Sequence, residues 1–274
     1  MRSKSTLGVA ASLFLAFTFP AWAANDVQQR VATCLRSASL ADSCDPGRLE
    51  VDIEATVSPS RLPRNEFAPV ALTISGTIGT EGGGHPSALR EAMATLDEGL
   101  RIDTNGLAAC PRRRLERLDV AGARKACRKA MVGHGVAHVG LASSETSFKA
   151  PLTLFNGGTS GGVTRLFAQS VVGMAGPSLV AVGKVRRHGR GLKASWRVPR
   201  ILEGDGSLLD FRLHVSRTFA ASGRRHSYLS GSCRGGMLRV SFSKLAFVNE
   251  AGTPGVASRT FLRGGLLVPC GPAR

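Results

Sequence analysis

Gly158-Thr159-Ser160-Gly161-Gly162 matches G-x-S-x-G, a spacing that can present a nucleophilic serine. Such a serine needs an imidazole within hydrogen-bond reach to take its proton, and an acid to orient that imidazole. His134 and His138 lie upstream, but neither stands in a context that marks it as the base. The residues after the loop read as strand, whereas the hydrolase form of the motif runs from strand to helix. The loop therefore reads as the glycine-rich end of a hairpin turning at Asn156-Gly157-Gly158, since Asn-Gly is a strong hairpin signal. A secreted serine hydrolase using Gly158–Gly162 is kept as the alternative function, and no catalytic residue is assigned.

His134 and His138 are four apart, a zinc spacing on a helix. Here they sit among glycines in a strand-like stretch, with no neighbouring Glu and no third ligand. Asp97-Glu98 and the pair Glu203 and Asp205 stand beside glycines, which turn chemistry explains. The chain has no C-x-x-C pair, no phosphate-binding loop and no dinucleotide fingerprint. Neither a metal nor a cofactor is expected.

The basic residues carry a stronger signal. Arg112, Arg113, Arg114 and Arg117 open the segment between Cys110 and Cys127, and Arg124, Lys125, Arg128 and Lys129 come after them. Arg186, Arg187 and Arg190, with Lys184 and His188, crowd one hairpin tip, while Arg224 and Arg225 occupy the turn of another. Guanidinium forks bind phosphate oxygens two at a time, so these are the candidate anion-binding residues. Tyr228 is the sole Tyr, and Trp196 the sole Trp beyond residue 23. That poverty argues against single-stranded nucleic acid, which wants stacking platforms, and against an aromatic sugar site. The expected partner is an anionic polymer of the cell envelope.

The first 23 residues have the form of an export signal. Arg2 and Lys4 precede an apolar run from Leu7 to Phe19, and Ala21-Trp22-Ala23 offers small residues for cleavage near Ala23. The run is too short to span a bilayer comfortably, and no later stretch reaches spanning length, so no transmembrane segment is expected in the mature chain. That chain is expected outside the cytoplasm, secreted or held at the envelope. It would carry 34 basic and 19 acidic residues, a net charge of +15, and only seven residues of the full chain are Lys. All six cysteines, Cys34, Cys44, Cys110, Cys127, Cys233 and Cys270, fall in this part. An even count in an oxidising compartment reads as three disulfides. Fifteen pairings are possible; nearest neighbours, Cys34–Cys44, Cys110–Cys127 and Cys233–Cys270, are favoured.

The elements that must position these groups are mostly strands. Leu209, Phe211, Leu213, Val215 and Phe219 alternate with polar residues, and a turn at Ser222-Gly223-Arg224-Arg225 comes next. This predicts one long hairpin between Leu208 and Cys233, with a wet face and a buried one. The same period recurs from Leu49 to Val57, from Val70 to Ile78, from Leu192 to Val198 and from Leu238 to Phe242, with a β-bulge near Lys244 where the phase slips. Val163–Val172 is apolar on both faces, as in a central strand. Helices are predicted over 26–38, capped by Asp26, and over 119–131, capped by Asp119. Residues 88–96 fit a helix or a strand.

The succession Pro69-Val70-Ala71-Leu72-Thr73-Ile74-Ser75-Gly76, then Leu107 through Cys110-Pro111, Ala126-Cys127 with Val132-Gly133-His134-Gly135, Leu154-Phe155-Asn156-Gly157, and Arg225-His226-Ser227-Tyr228-Leu229 up to Cys233 resembles an uncharacterised family of exported, cysteine-containing β-rich proteins from high-GC soil actinobacteria. The resemblance covers roughly residues 49–270 and rests on turns and cysteines. It implies a strand over 88–102 and brings no activity with it.

The expectation is thus a mostly-β protein, an antiparallel β-sandwich, immunoglobulin-like or related, with two short helical inserts. Residues 1–23 would be a signal peptide, 24–48 a short helical leader with a disulfide, and 49–274 the sandwich, a division near 150 being left open. The expected function is that of a non-catalytic binding or structural module.

Overall fold

A computed structural model of the protein describes residues 29–30, 49–80, 85–172, 178–248 and 259–272. Residues 1–28 and 31–48, with Cys34, Cys44 and nearly all of the expected signal peptide and leader, lie outside the described residues. In chain order the strands are β1 (Gln29–Arg30), β2 (Leu49–Ser58), β3 (Arg61–Leu62), β4 (Ala68–Pro69), β5 (Ala71–Thr80), β6 (Ala88–Leu96) and β7 (Leu100–Ile102). Two helices come next, α1 (Arg112–Arg117) and α2 (Val120–Ala126). Then come β8 (Met131–Leu141), β9 (Ser147–Ser160), β10 (Val163–Val171), β11 (Ser178–His188), β12 (Gly191–Arg197) and β13 (Gly206–Val215). The chain ends with β14 (Thr218–Ala221), β15 (Arg224–Ser227), β16 (Leu229–Gly231), β17 (Met237–Val248), β18 (Arg259–Pro269) and β19 (Gly271–Pro272).

The molecule is mostly β and antiparallel, as the alternation predicts. Twelve strands join in a single sheet, in the order β1-β2-β5-β13-β8-β9-β10-β11-β12-β6-β17-β18. The sheet curls far enough for β18 to approach β2, and the core lies between its facing parts. Leu49, Val51, Ile53 and Ile78 from β2 and β5 pack with Val240, Leu245, Phe247 and Leu266 from β17 and β18. A second cluster continues the interior through Leu154, Leu166, Val185 and Leu238 to Tyr228, Cys233 and Cys270. The three-stranded sheet β4-β16-β7 contributes Leu229 and Leu100 to that cluster.

Three expectations are met in detail. Residues 88–96 are strand β6, between β12 and β17. The bulge near Lys244 appears as a register shift against both neighbours of β17. Cys110–Cys127 and Cys233–Cys270 are bonded, with Cα atoms 5.7 and 5.8 Å apart.

Four expectations are corrected. The stretch from Leu208 to Cys233 is not one hairpin: β13 belongs to the large sheet, β14 and β15 form a separate small one, and β16 joins a third. The chain leaves the large sheet where Ser216 N–H donates to Val132 O and Tyr228 N–H to Arg217 O. The turn at Asn156-Gly157-Gly158 is a bulge within β9. Asn156 is buried and its amide donates to Ala108 O, so its side chain is committed to holding the preceding loop. The hairpin instead turns at Gly161 and Gly162, whose φ values of 57° and 71° suit a primed turn. Arg112–Arg117, which lies outside both predicted helices, is helix α1. Gln29–Arg30, within the segment read as a helix, pair with β2 as strand.

Leu166 to Ser170 of β10 is covered on both faces, whereas Arg165 before it is exposed on the outer one. Its inner side chains enter the core, while Phe167, with Phe155 and Val180, lies beneath Leu115 and Ala123 of the two helices. Gln169, fully buried, fastens α1 down: Nε2 lies 2.8 Å from Leu115 O, from Leu118 O and from Ser178 Oγ. Carbonyls at a helix C-terminus have no partner within the helix. Gln169→Leu is expected to leave Leu118 O without that donor, while Leu115 O keeps Ser178 Oγ–H at 3.1 Å; the cost is about 1–3 kcal/mol, read as a lower urea midpoint at unchanged slope. A midpoint equal to wild type would show that water reaches Leu118 O.

Candidate anion-binding face

Helix α1 has no acid in its first turn and no side-chain cap, so its charge favours it only at the C-terminal end, where Arg114 and Arg117 face the negative pole. Arg112 Nε lies 2.7 Å from Glu116 Oε1 one turn on. Leu115 anchors the helix, leaving Arg112, Arg113, Arg114 and Arg117 exposed. In α2 the Asp119 carboxylate accepts from Gly122 N–H at 2.7 Å, the N-cap the sequence predicts. The cations on and after α2, Arg124, Lys125, Arg128 and Lys129, are also exposed.

Beside these helices, the outer face of β10–β12 carries a second group. Burial alternates along β11: Gly183 and Val185 are buried, while Lys184 and Arg186 are exposed. Register places Arg165 of β10 directly opposite Lys184, and Lys193 of β12 directly opposite Arg186. Like charges across a strand pair repel and cost about 0.2–1 kcal/mol each. The remaining cross-strand neighbours, Val163, Ser195 and Thr95, bring no acid. Among the described residues none of the four has an ion-pair partner. Arg197, further along β12, does face an acid, Glu91 of β6.

The other sequence candidates are spread out. Arg187 opposes Leu192 on the inward-directed side of the β11 end yet is exposed, and Arg190, in the adjoining turn, lies 3.8 Å from Glu98. Arg224 and Arg225 ride the β14–β15 hairpin, held by His226, whose Nδ1 is 2.9 Å from Asp103 and whose ring stacks on Phe219. Thr104, next to Asp103, bonds Thr159 at the end of β9 at 2.8 Å. Arg165 and Lys193 complete the β10–β12 group and are not among the sequence candidates. No local signal reveals them, because only strand register brings them to Lys184 and Arg186.

Among the described residues no imidazole is hydrogen-bonded to Ser160. Ser160 is exposed beside the Gly161-Gly162 turn, and three histidines are engaged elsewhere: His138 with Asp210 at 2.8 Å, His214 with Thr73 at 3.1 Å, and His226 with Asp103. His134 opposes Thr153, seven residues along β9 from Ser160, roughly 20 Å at strand rise. His134 and His138 stand on one face of β8, where His134 faces His214 with ring centroids 5.3 Å apart. Among the described residues no group of three His, Cys, Asp or Glu is placed to hold a metal ion. The acid clusters serve turns: Asp97 accepts from Gly99 N–H, and Asp205 from Ser143 N–H and Oγ–H. Glu50, Asp52, Glu54 and Asp210 gather instead on the outer side of β2 and β13, away from the β10–β12 cations in the sheet order.

Among the described residues no helix is long and apolar enough to cross a membrane. No protein-family model, curated protein or solved structure matches the chain.

Proposed function

We propose that this protein is an exported, non-catalytic module of the cell envelope that binds anionic polymer through the outer face of β10–β12 and the adjoining helices. The observation that carries this reading is the pair of like-charge contacts Arg165–Lys184 and Lys193–Arg186, side by side and without an acid between them. A face so arranged is strained when bare and is relieved by a bound anion. The eight exposed cations from Arg112 to Lys129 extend the positive field. Two buried disulfides fit a compartment in which thiols oxidise, in keeping with the export signal.

The expected result is strong retention on heparin- or teichoic-acid-coupled resin at low salt, with elution well below 1 M NaCl, because counterion release makes such binding salt-dependent. Changing Arg112, Arg113 and Arg114 together to Ala is expected to move the elution to lower salt. Retention unaffected by salt and by those substitutions would remove the reading.

A further inference from the structure

The four unpaired cations of β10–β12 form a staircase. From Arg165 to Lys184 is one step across strands, from Lys184 to Arg186 one step along β11, and from Arg186 to Lys193 one more step across. Strands lie about 5 Å apart, and alternate residues of one strand about 7 Å apart. A chain crossing this face obliquely therefore meets one positive charge every 5–7 Å, four times in succession.

That interval narrows the ligand. A phosphodiester backbone with three carbons between phosphates has six bonds per repeat, which extend to roughly 6–7 Å at bond lengths near 1.5 Å. It carries one charge per repeat, so its charges fall on successive steps. The face also excludes two other anions by what it lacks. Lipid surfaces are held by apolar anchors as well as charge, but among the described residues the exposed large hydrophobic side chains, Met237 and Leu267, belong to β17 and β18. Nucleic-acid bases are held by aromatic platforms, but Trp196 packs against the core, and among the described residues the ring this face exposes is the small His188 imidazole at the end of β11. Helix α1, which packs on β11, stands beside the staircase with Arg113 and Arg117 exposed.

We infer that the ligand of this face is a linear phosphodiester polymer read by its backbone alone, laid obliquely across β10, β11 and β12 with successive phosphates on Arg165, Lys184, Arg186 and Lys193. The inference rests on the anion-binding reading and adds the ligand's class and path.

The test uses abasic deoxyribose phosphodiester oligomers of two, four and eight phosphates, with binding followed by fluorescence anisotropy over a salt series. Affinity is expected to rise steeply from two to four phosphates and only modestly from four to eight. A variant carrying R165Q, K184Q, R186Q and K193Q, with an unchanged thermal melt, is expected to bind the four-phosphate oligomer about 10-fold or more weakly. Its log–log salt slope is expected to fall by about 3, at about 0.7 per phosphate. Oligothymidylate of equal length is expected to bind within about 3-fold of the abasic chain, since among the described residues this face exposes no Trp, Tyr or Phe and only the His188 imidazole at the end of β11. Full-strength binding by the variant, bases that add more than about 10-fold, or phosphatidylserine vesicles that compete as well as the oligomer would each overturn the inference. If R113Q with R117Q abolishes binding while the staircase variant retains it, the anion-binding reading stands and the staircase falls. If the wild-type protein binds no oligomer and no heparin, both fall.

Discussion

Changing Cys233 and Cys270 together to Ala lowers stability by about 2–5 kcal/mol, and by more than the matching change of Cys110 and Cys127. Both bridges are buried, but they close different lengths of chain, 37 residues against 17. If disulfides act by restricting the unfolded chain, the longer closure contributes about 0.7 kcal/mol more. Position adds to length. Cys233 and Cys270 lie in the main core beside Tyr228, Leu229, Leu238 and Val268, so two truncated side chains also leave space there. Cys110 and Cys127 belong to the smaller cluster under the helices. Urea denaturation of the two double variants, measured side by side, gives the ranking. An equal or reversed order would show that the helical insert is integral to the global transition.

Gly135→Ala has a comparable effect for a different reason. A methyl group at Gly135 would stand 2.1 Å from Arg212 O, and one at Gly133 2.3 Å from His214 O. In both cases the obstacle is the backbone of β13, which cannot move without breaking its pairing with β8 and β5. The expected loss is about 2–4 kcal/mol, at and beyond the upper end of ordinary overpacking. Gly79→Ala provides the control, since nothing lies within 4 Å of its added carbon; its effect should stay within about 0.5 kcal/mol. Chemical denaturation of both variants decides it. A mild G135A would mean that β8 and β13 can part by an ångström without loss.

Close approaches of this kind are invisible in the chain, whereas other features can be read from it. Period-two alternation locates β2, β5, β12 and β13, because each has one face in the core and one in solvent. It is ambiguous for β6, where Leu89, Met93 and Leu96 fall at helical spacing and no strict apolar–polar alternation stands against it. Helix α1 is hidden by its own charge: Arg-Arg-Arg after Pro111 looks like a solvated loop until Leu115 is seen packed on Phe155 and Phe167. Asn156-Gly157 carries a local turn signal that a distant carbonyl, Ala108 O, overrides. The arginines of the helical insert stand out as a cluster in sequence. The staircase does not, since Arg165, Lys184 and Lys193 become neighbours only through the register of three strands.

The order of strands also sets the timetable of assembly. β6 ends at Leu96, yet one of its partners begins at Gly191 and the other at Met237; β5 likewise waits for β13 to take its second edge. A chain emerging N-terminus first therefore presents orphan ribbons, with donors and acceptors unmet, until its last third arrives. Bare edges of that kind invite adhesion between copies, and distant pairings form late. The native topology thus favours delivery of the polypeptide as one unbroken length, held apart from its siblings until the C-terminal strands are in hand.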